Sequence, residues 1–95
     1  MSIINYSPQD GMPSIRRQVW RRIFAMMIES ARKKLDRSVE QAAALAGMEP
    51  SEWAAIEAGH VPADPARLRA MAASLEIRFE QMENMVLLCR EAWLA

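Results

Sequence analysis

An all-α fold of five helices is predicted by three features of this 95-residue chain. Apolar residues recur at steps of three and four in its first and last thirds, which is the period of a helix with one buried side. Helix-start and helix-stop residues divide the middle into short pieces. The composition agrees, with 52% hydrophobic residues and only three Gly, five Pro and six aromatic residues among Phe, Trp and Tyr, the balance of a helix-rich globular chain. At this length one core and one domain are expected.

The elements follow in order. Residues 1–13 hold Asn5, Ser7, Pro8, Asp10, Gly11 and Pro13, a turn-rich mixture that predicts an irregular arm. From Ser14 to Leu35 one strip carries Ile15, Val19, Ile23 and Met26, and the neighbouring strip carries Trp20, Phe24, Met27, Ala31 and Leu35. The buried face of this first helix is therefore expected to be wide, with Arg16, Arg17, Arg21, Arg22, Arg32, Lys33 and Lys34 on the remainder. Ser38 followed by Gln41 is a capping-box signature and starts a second helix running to about Leu45. Gly47 suits the positive φ of a chain leaving a helix. Pro50 suits the first turn of a third helix, because its missing N–H would have no partner there, and that helix ends near Gly59. Asp64 and Pro65 repeat the start signal for a fourth helix bearing Leu68, Met71, Ala72 and Leu75, closed by Ile77. A fifth spans about Phe79 to Leu94, with Phe79, Met82, Val86, Cys89 and Trp93 on its stripe and Met85 and Leu88 widening it. The eight methionines stand mostly on these stripes, as adaptable core filling or as a flexible surface for a partner helix.

Several classes of function are excluded. Cys89 is the single cysteine and His60 the single histidine, so neither an internal disulfide nor a His/Cys metal site is expected. No nucleophile-base pattern, phosphate-binding glycine loop or metal motif is present, so neither an enzyme nor a cofactor is expected. The longest apolar run, Ile23 to Ile28, is far too short to span a bilayer, and no secretory leader is recognisable; a cytoplasmic protein without membrane partners is expected. Net charge is zero, yet residues 1–40 hold eight basic and four acidic groups while residues 41–95 hold four and eight. That asymmetry suits either a basic surface for phosphates or two complementary faces that meet in an oligomer.

Ser38, Ala43, Leu45, Ala46, Gly47, Met48, Trp53, Ile56, Glu57 and Gly59 stand in the register of a helix-turn-helix over 38–59, and Leu68, Met71, Ala72, Leu75 and Ile77 continue it. In this the chain resembles the Cro and lambda-repressor-like family, the XRE-type helix-turn-helix proteins, over roughly Met27 to Met82. The resemblance implies a five-helix lambda-repressor-like domain, here with extended first and last helices. It also implies an ion pair between Arg32 and Glu57 that fixes the first helix to the third. By the same register the DNA-reading positions are Ser38, Val39, Glu49, Pro50, Ser51, Glu52 and Ala55. These are unusual residues for the task, since base edges are read best by Arg, Lys, Asn or Gln and phosphates need a cation or a free donor. A glutamate can accept from cytosine when neighbouring cations anchor the backbone, but no cation stands in the third helix. Candidate phosphate contacts are Arg16, Arg17, Arg21, Arg22, Lys33, Lys34 and Arg37.

Family members often act as symmetric dimers, because two half-sites need two recognition helices. Trp20, Met82, Val86, Cys89 and Trp93, on the extended helices, are the candidate dimer contacts. Two functions fit: a dimeric DNA-binding transcriptional regulator with degenerate readout, or a helix-turn-helix scaffold that binds another protein, as an antitoxin or a regulator accessory does.

Overall fold

The computed structural model of the protein describes the backbone of residues 11–94, and the side chains of residue 15 and of residues 18–90. All regular structure among the described residues is helical: α1 (Gly11–Lys34), α2 (Val39–Leu45), α3 (Pro50–Glu57), α4 (Pro65–Leu75) and α5 (Phe79–Leu94). None of these helices is long and apolar enough to cross a membrane. One boundary differs from the sequence reading. Gly11, Met12 and Pro13, expected in the irregular arm, are the first residues of α1. The first four N–H groups of a helix have no acceptor within it, so Pro13 forfeits no bond there and its fixed φ is already helical. The rest of the expected arm, residues 1–10, lies outside the described residues, as do the side chains of Arg16, Arg17 and Trp93.

Helices α1 to α4 all end in the same way. After α1, the Arg37 N–H reaches the Arg32 carbonyl at 3.2 Å and the Asp36 N–H reaches that of Lys33 at 2.9 Å. Met48 and Gly47 repeat the pattern after α2, His60 and Gly59 after α3, and Ile77 and Glu76 after α4. This paired bonding satisfies the last carbonyls of a helix and needs one residue with positive φ. Two of the four positions are glycines, Gly47 (φ 67°) and Gly59 (φ 119°), and two are acids, Asp36 (φ 57°) and Glu76 (φ 55°). Beyond its two chain neighbours, no residue comes within 4 Å of where a Cβ would sit on Gly47, so substitution there strains the backbone alone. Gly47→Ala is expected to lower stability by about 1 to 2 kcal/mol, and Asp36→Gly to change it by less than about 1 kcal/mol, because glycine also frees the unfolded chain. Urea midpoints of the two variants test this, and an unchanged midpoint for Gly47→Ala would refute it.

All five helices contribute to the core, α2 through Ala42 and Ala43, with α1 packed most widely on α5 and α2 held by α3 and α4. Phe24 and Ile28 of α1, Trp53 and Ile56 of α3, Met71 and Leu75 of α4, and Met82 of α5 are all no more than 2% exposed. Two sequence expectations are corrected here. Only the second strip of α1 is buried: Trp20, Met27 and Ala31 pack around Phe24 and Ile28, whereas Ile15, Val19, Ile23 and Met26 are 37% to 58% exposed. Met82, Val86 and Cys89, expected at a dimer contact, belong to the chain's own core, and Trp20 packs against that core half-buried. Burial pushes the Cys89 thiol up, with the charge of Arg21 pulling weakly the other way.

Two contacts of α4 escape sequence reading. The buried Ser74 hydroxyl donates to the Ala42 carbonyl at 2.8 Å, tying α4 to α2. The Arg69 guanidinium lies over the Phe79 ring, 4.6 Å from its centroid, and joins α4 to the start of α5.

Candidate nucleic-acid interface

The short helices α2 and α3 enclose a tight turn, and each has its own start. Ser38 caps α2: its hydroxyl accepts the Gln41 N–H at 3.0 Å, and the Gln41 side chain accepts the Ser38 N–H at 2.9 Å. Before α3, Glu49 takes the extended cap conformation and Pro50 opens the helix. The Glu52 carboxylate then reaches back to accept the Glu49 N–H at 3.3 Å, and it also favours the positive end of the helix dipole. Helix α3 divides cleanly into two sides. Trp53 and Ile56 point into the core, while Pro50, Ser51, Glu52, Ala54, Ala55 and Ala58 are exposed.

The angle of α3 is set by a charge cluster on its inner side. Arg32 of α1 grips the Glu57 carboxylate with two bonds, Nε to Oε2 at 2.7 Å and Nη2 to Oε1 at 3.0 Å. The Trp53 indole N–H donates to the same Oε2 at 2.7 Å. Arg32 Nη1 donates to the Arg37 carbonyl at 2.9 Å and so also fixes the link between α1 and α2. Side-chain exposure is only 11% for Arg32 and 12% for Glu57. The bonds to Glu57 hold the Arg32 guanidinium above its ordinary pKa, against the opposing effect of burial. A planar five-donor group is the side chain that can make this fork and a third bond together.

The structure distributes the other site residues unevenly. Glu49, Pro50, Ser51, Glu52 and Ala55 share the exposed side of α3 and its cap. Val39 does not join them, because its side chain packs half-buried against the core, and Ser38 is occupied as a cap. Among the cations, Arg37 is drawn to the end of α4, where it donates to the Ser74 carbonyl and, at 3.1 Å, to Glu76. Lys33 pairs with Glu29 one turn earlier at 2.9 Å. Arg22 and Lys34 are exposed and Arg21 is half-buried. Arg21 and Arg22 line a groove with Ala58, Gly59 and His60, which places them at the C-terminal end of α3.

One contact on the exposed side of α3 goes beyond the sequence expectations. Arg67, in the first turn of α4, donates to the Glu52 carboxylate of α3, so the third helix gains from its neighbour the cation that it lacks in sequence. The two flank a groove of about 590 Å³ together with Ser51, Ala55, His60 and Asp64. A signal for Arg67 did exist. A cation in the first turn of a helix opposes the helix dipole, so it gains from a carboxylate supplied by another element. Comparison with protein-family models, with curated proteins and with solved structures finds no match to this chain.

Proposed function

We propose that the chain is a DNA-binding transcriptional regulator of the Cro and lambda-repressor-like type, acting as a dimer, whose affinity comes mainly from phosphate contacts. The observation that carries this reading is the presentation of α3. It is clamped from behind by Arg32, Glu57 and Trp53, and its whole outer side is left to solvent. A rigid helix with an open side is what a major groove accepts. The small residues on that side allow close approach, and Ala54, Ala55 and Ala58 offer methyl groups to thymine. Arg22, Lys34 and Arg67 are available for phosphates.

Charge magnitudes decide how specific such binding is. A carboxylate about 8 Å from a phosphate costs about 0.5 kcal/mol at the dielectric of water and about 2 kcal/mol at an effective dielectric of 20. Arg67 offsets most of that for Glu52; Glu49 remains a cost. The test is fluorescence anisotropy with a labelled generic duplex at two salt concentrations. With three phosphate contacts from each protomer, about six in the dimer, affinity is expected to fall roughly 2,000-fold between about 50 and about 200 mM salt. No binding at the lower salt would overturn the reading.

A second reading, a scaffold for protein contacts, is favoured by one observation. The outer strip of α1, Ile15, Val19, Ile23 and Met26, is an exposed apolar surface on a chain that buries Met82, Val86 and Cys89 of α5 in its own core, and a strip of this kind marks a protein contact. The same strip serves the dimer of the first reading in place of Met82, Val86 and Cys89.

A further inference from the structure

We propose that Glu52 is the specificity-determining residue of the DNA-facing surface, reading a cytosine amino group in the major groove, with Arg67 as the residue that positions and neutralises it. This rests on the DNA-binding reading above and adds a base preference to it.

The first argument is reach. Of the exposed α3 side chains, Pro50, Ser51, Ala54, Ala55 and Ala58 are short. Glu52 is the long side chain among them, and of the two long acids on this surface, Glu49 and Glu52, it is Glu52 that Arg67 meets. It is also the third residue of α3, in the N-terminal turn from which recognition helices contact bases. Its side chain is 44% exposed.

The second argument is preorganisation. One carboxylate oxygen accepts the Glu49 N–H at 3.3 Å and the other accepts from Arg67 Nη1. A carboxylate offers about four lone-pair positions, so two acceptor positions remain while its direction is fixed from both sides. An acceptor-only group discriminates among bases: cytosine presents an N4 donor in the major groove, whereas guanine presents only acceptors and thymine an acceptor and a methyl group. Adenine also presents an N6 donor, but its N7 acceptor beside it repels a carboxylate, which favours cytosine. Arg67 performs a second task. Its side chain is 36% exposed, so donors not engaged by Glu52 can meet the phosphate flanking the base. The carboxylate then enters a polyanionic groove as part of a neutral pair.

Selection from a library of randomised duplexes tests the proposal, with the wild-type chain, Glu52→Gln and Arg67→Ala carried through in parallel. Glu52 is exposed and Arg67 half-buried, and circular dichroism melts verify that the variants are folded. The wild type is expected to enrich a C·G pair at one fixed position of each half-site. Glu52→Gln should lose that preference by roughly fivefold or more, or shift it towards adenine, whose N6 and N7 a glutamine amide matches. Arg67→Ala should weaken binding to all sequences and reduce the salt slope of the dimer by about two, one contact in each half-site. If Glu52→Gln enriches the same sites as the wild type, or if the wild type binds duplexes without enriching any cytosine, the proposal fails while DNA binding stands. If no duplex is retained by any of the three proteins, the DNA-binding reading fails and the proposal falls with it.

Discussion

Replacing Glu57 with Ala is expected to lower the stability of the domain by about 3 to 4 kcal/mol, within the range for removing one partner of a buried ion pair. The size follows from what is left behind. Arg32 loses the acceptor for two of its bonds and the Trp53 indole N–H loses the acceptor it meets at 2.7 Å, both at sites largely closed to water. A chain of this length has a total stability of roughly 5 to 14 kcal/mol, so the change removes a large part of it. Glu57→Gln keeps one acceptor oxygen for Arg32 or Trp53 and should cost about half as much. Urea unfolding gives both values, and a double-mutant cycle with Arg32→Ala should return a coupling above about 1.5 kcal/mol. A loss below about 1 kcal/mol for Glu57→Ala would mean that the pair behaves as solvated surface charge. The contribution of Arg32 has a defined pH range. Its folded pKa is raised, so the stabilisation is fully present below the unfolded value and is lost only as strong alkali passes the folded one. Across the ordinary range the arginine end of the clamp is insensitive to pH.

What could be read in the sequence was whatever depends on neighbours in the chain. The Ser38 and Gln41 cap, Pro50 at the start of α3 and Gly47 at the end of α2 are contacts within a few residues, and the helices they bound formed where those residues stand. The pair of Arg32 with Glu57 spans 25 residues and was legible only through resemblance, since no local rule joins the two. Arg67 with Glu52 and Ser74 with Ala42 had no such guide. They depend on how α4 lies against α3 and α2, which spacing along a single helix does not encode. The positive φ of Asp36 and Glu76 was hidden for a different reason: these residues occupy glycine positions without being glycine, at a backbone cost that the paired bonds after each helix offset.

The two strips of α1 show the limit of periodicity most clearly. Both carry apolar residues at helical spacing, and a moment argument cannot decide whether a helix is covered on one side or on two. Met82→Ala and Met26→Glu separate the cases. Met82 is fully buried among residues of its own chain, so its truncation is expected to cost about 2 to 5 kcal/mol, the transfer of the lost atoms plus the cavity left behind. That loss should be the same at low and high protein concentration, because the packing is within one chain. Met26 is 58% exposed, and a glutamate there should leave the unfolding free energy of the monomer within about 0.5 kcal/mol of the wild type. Its effect is expected in sedimentation velocity instead: a wild type that sediments as a dimer should become a monomer, since a charge placed in an apolar contact must be desolvated without a partner. A concentration-dependent loss for Met82→Ala would move the dimer contact back to α5. An unchanged dimer for Met26→Glu would remove the outer strip of α1 from it.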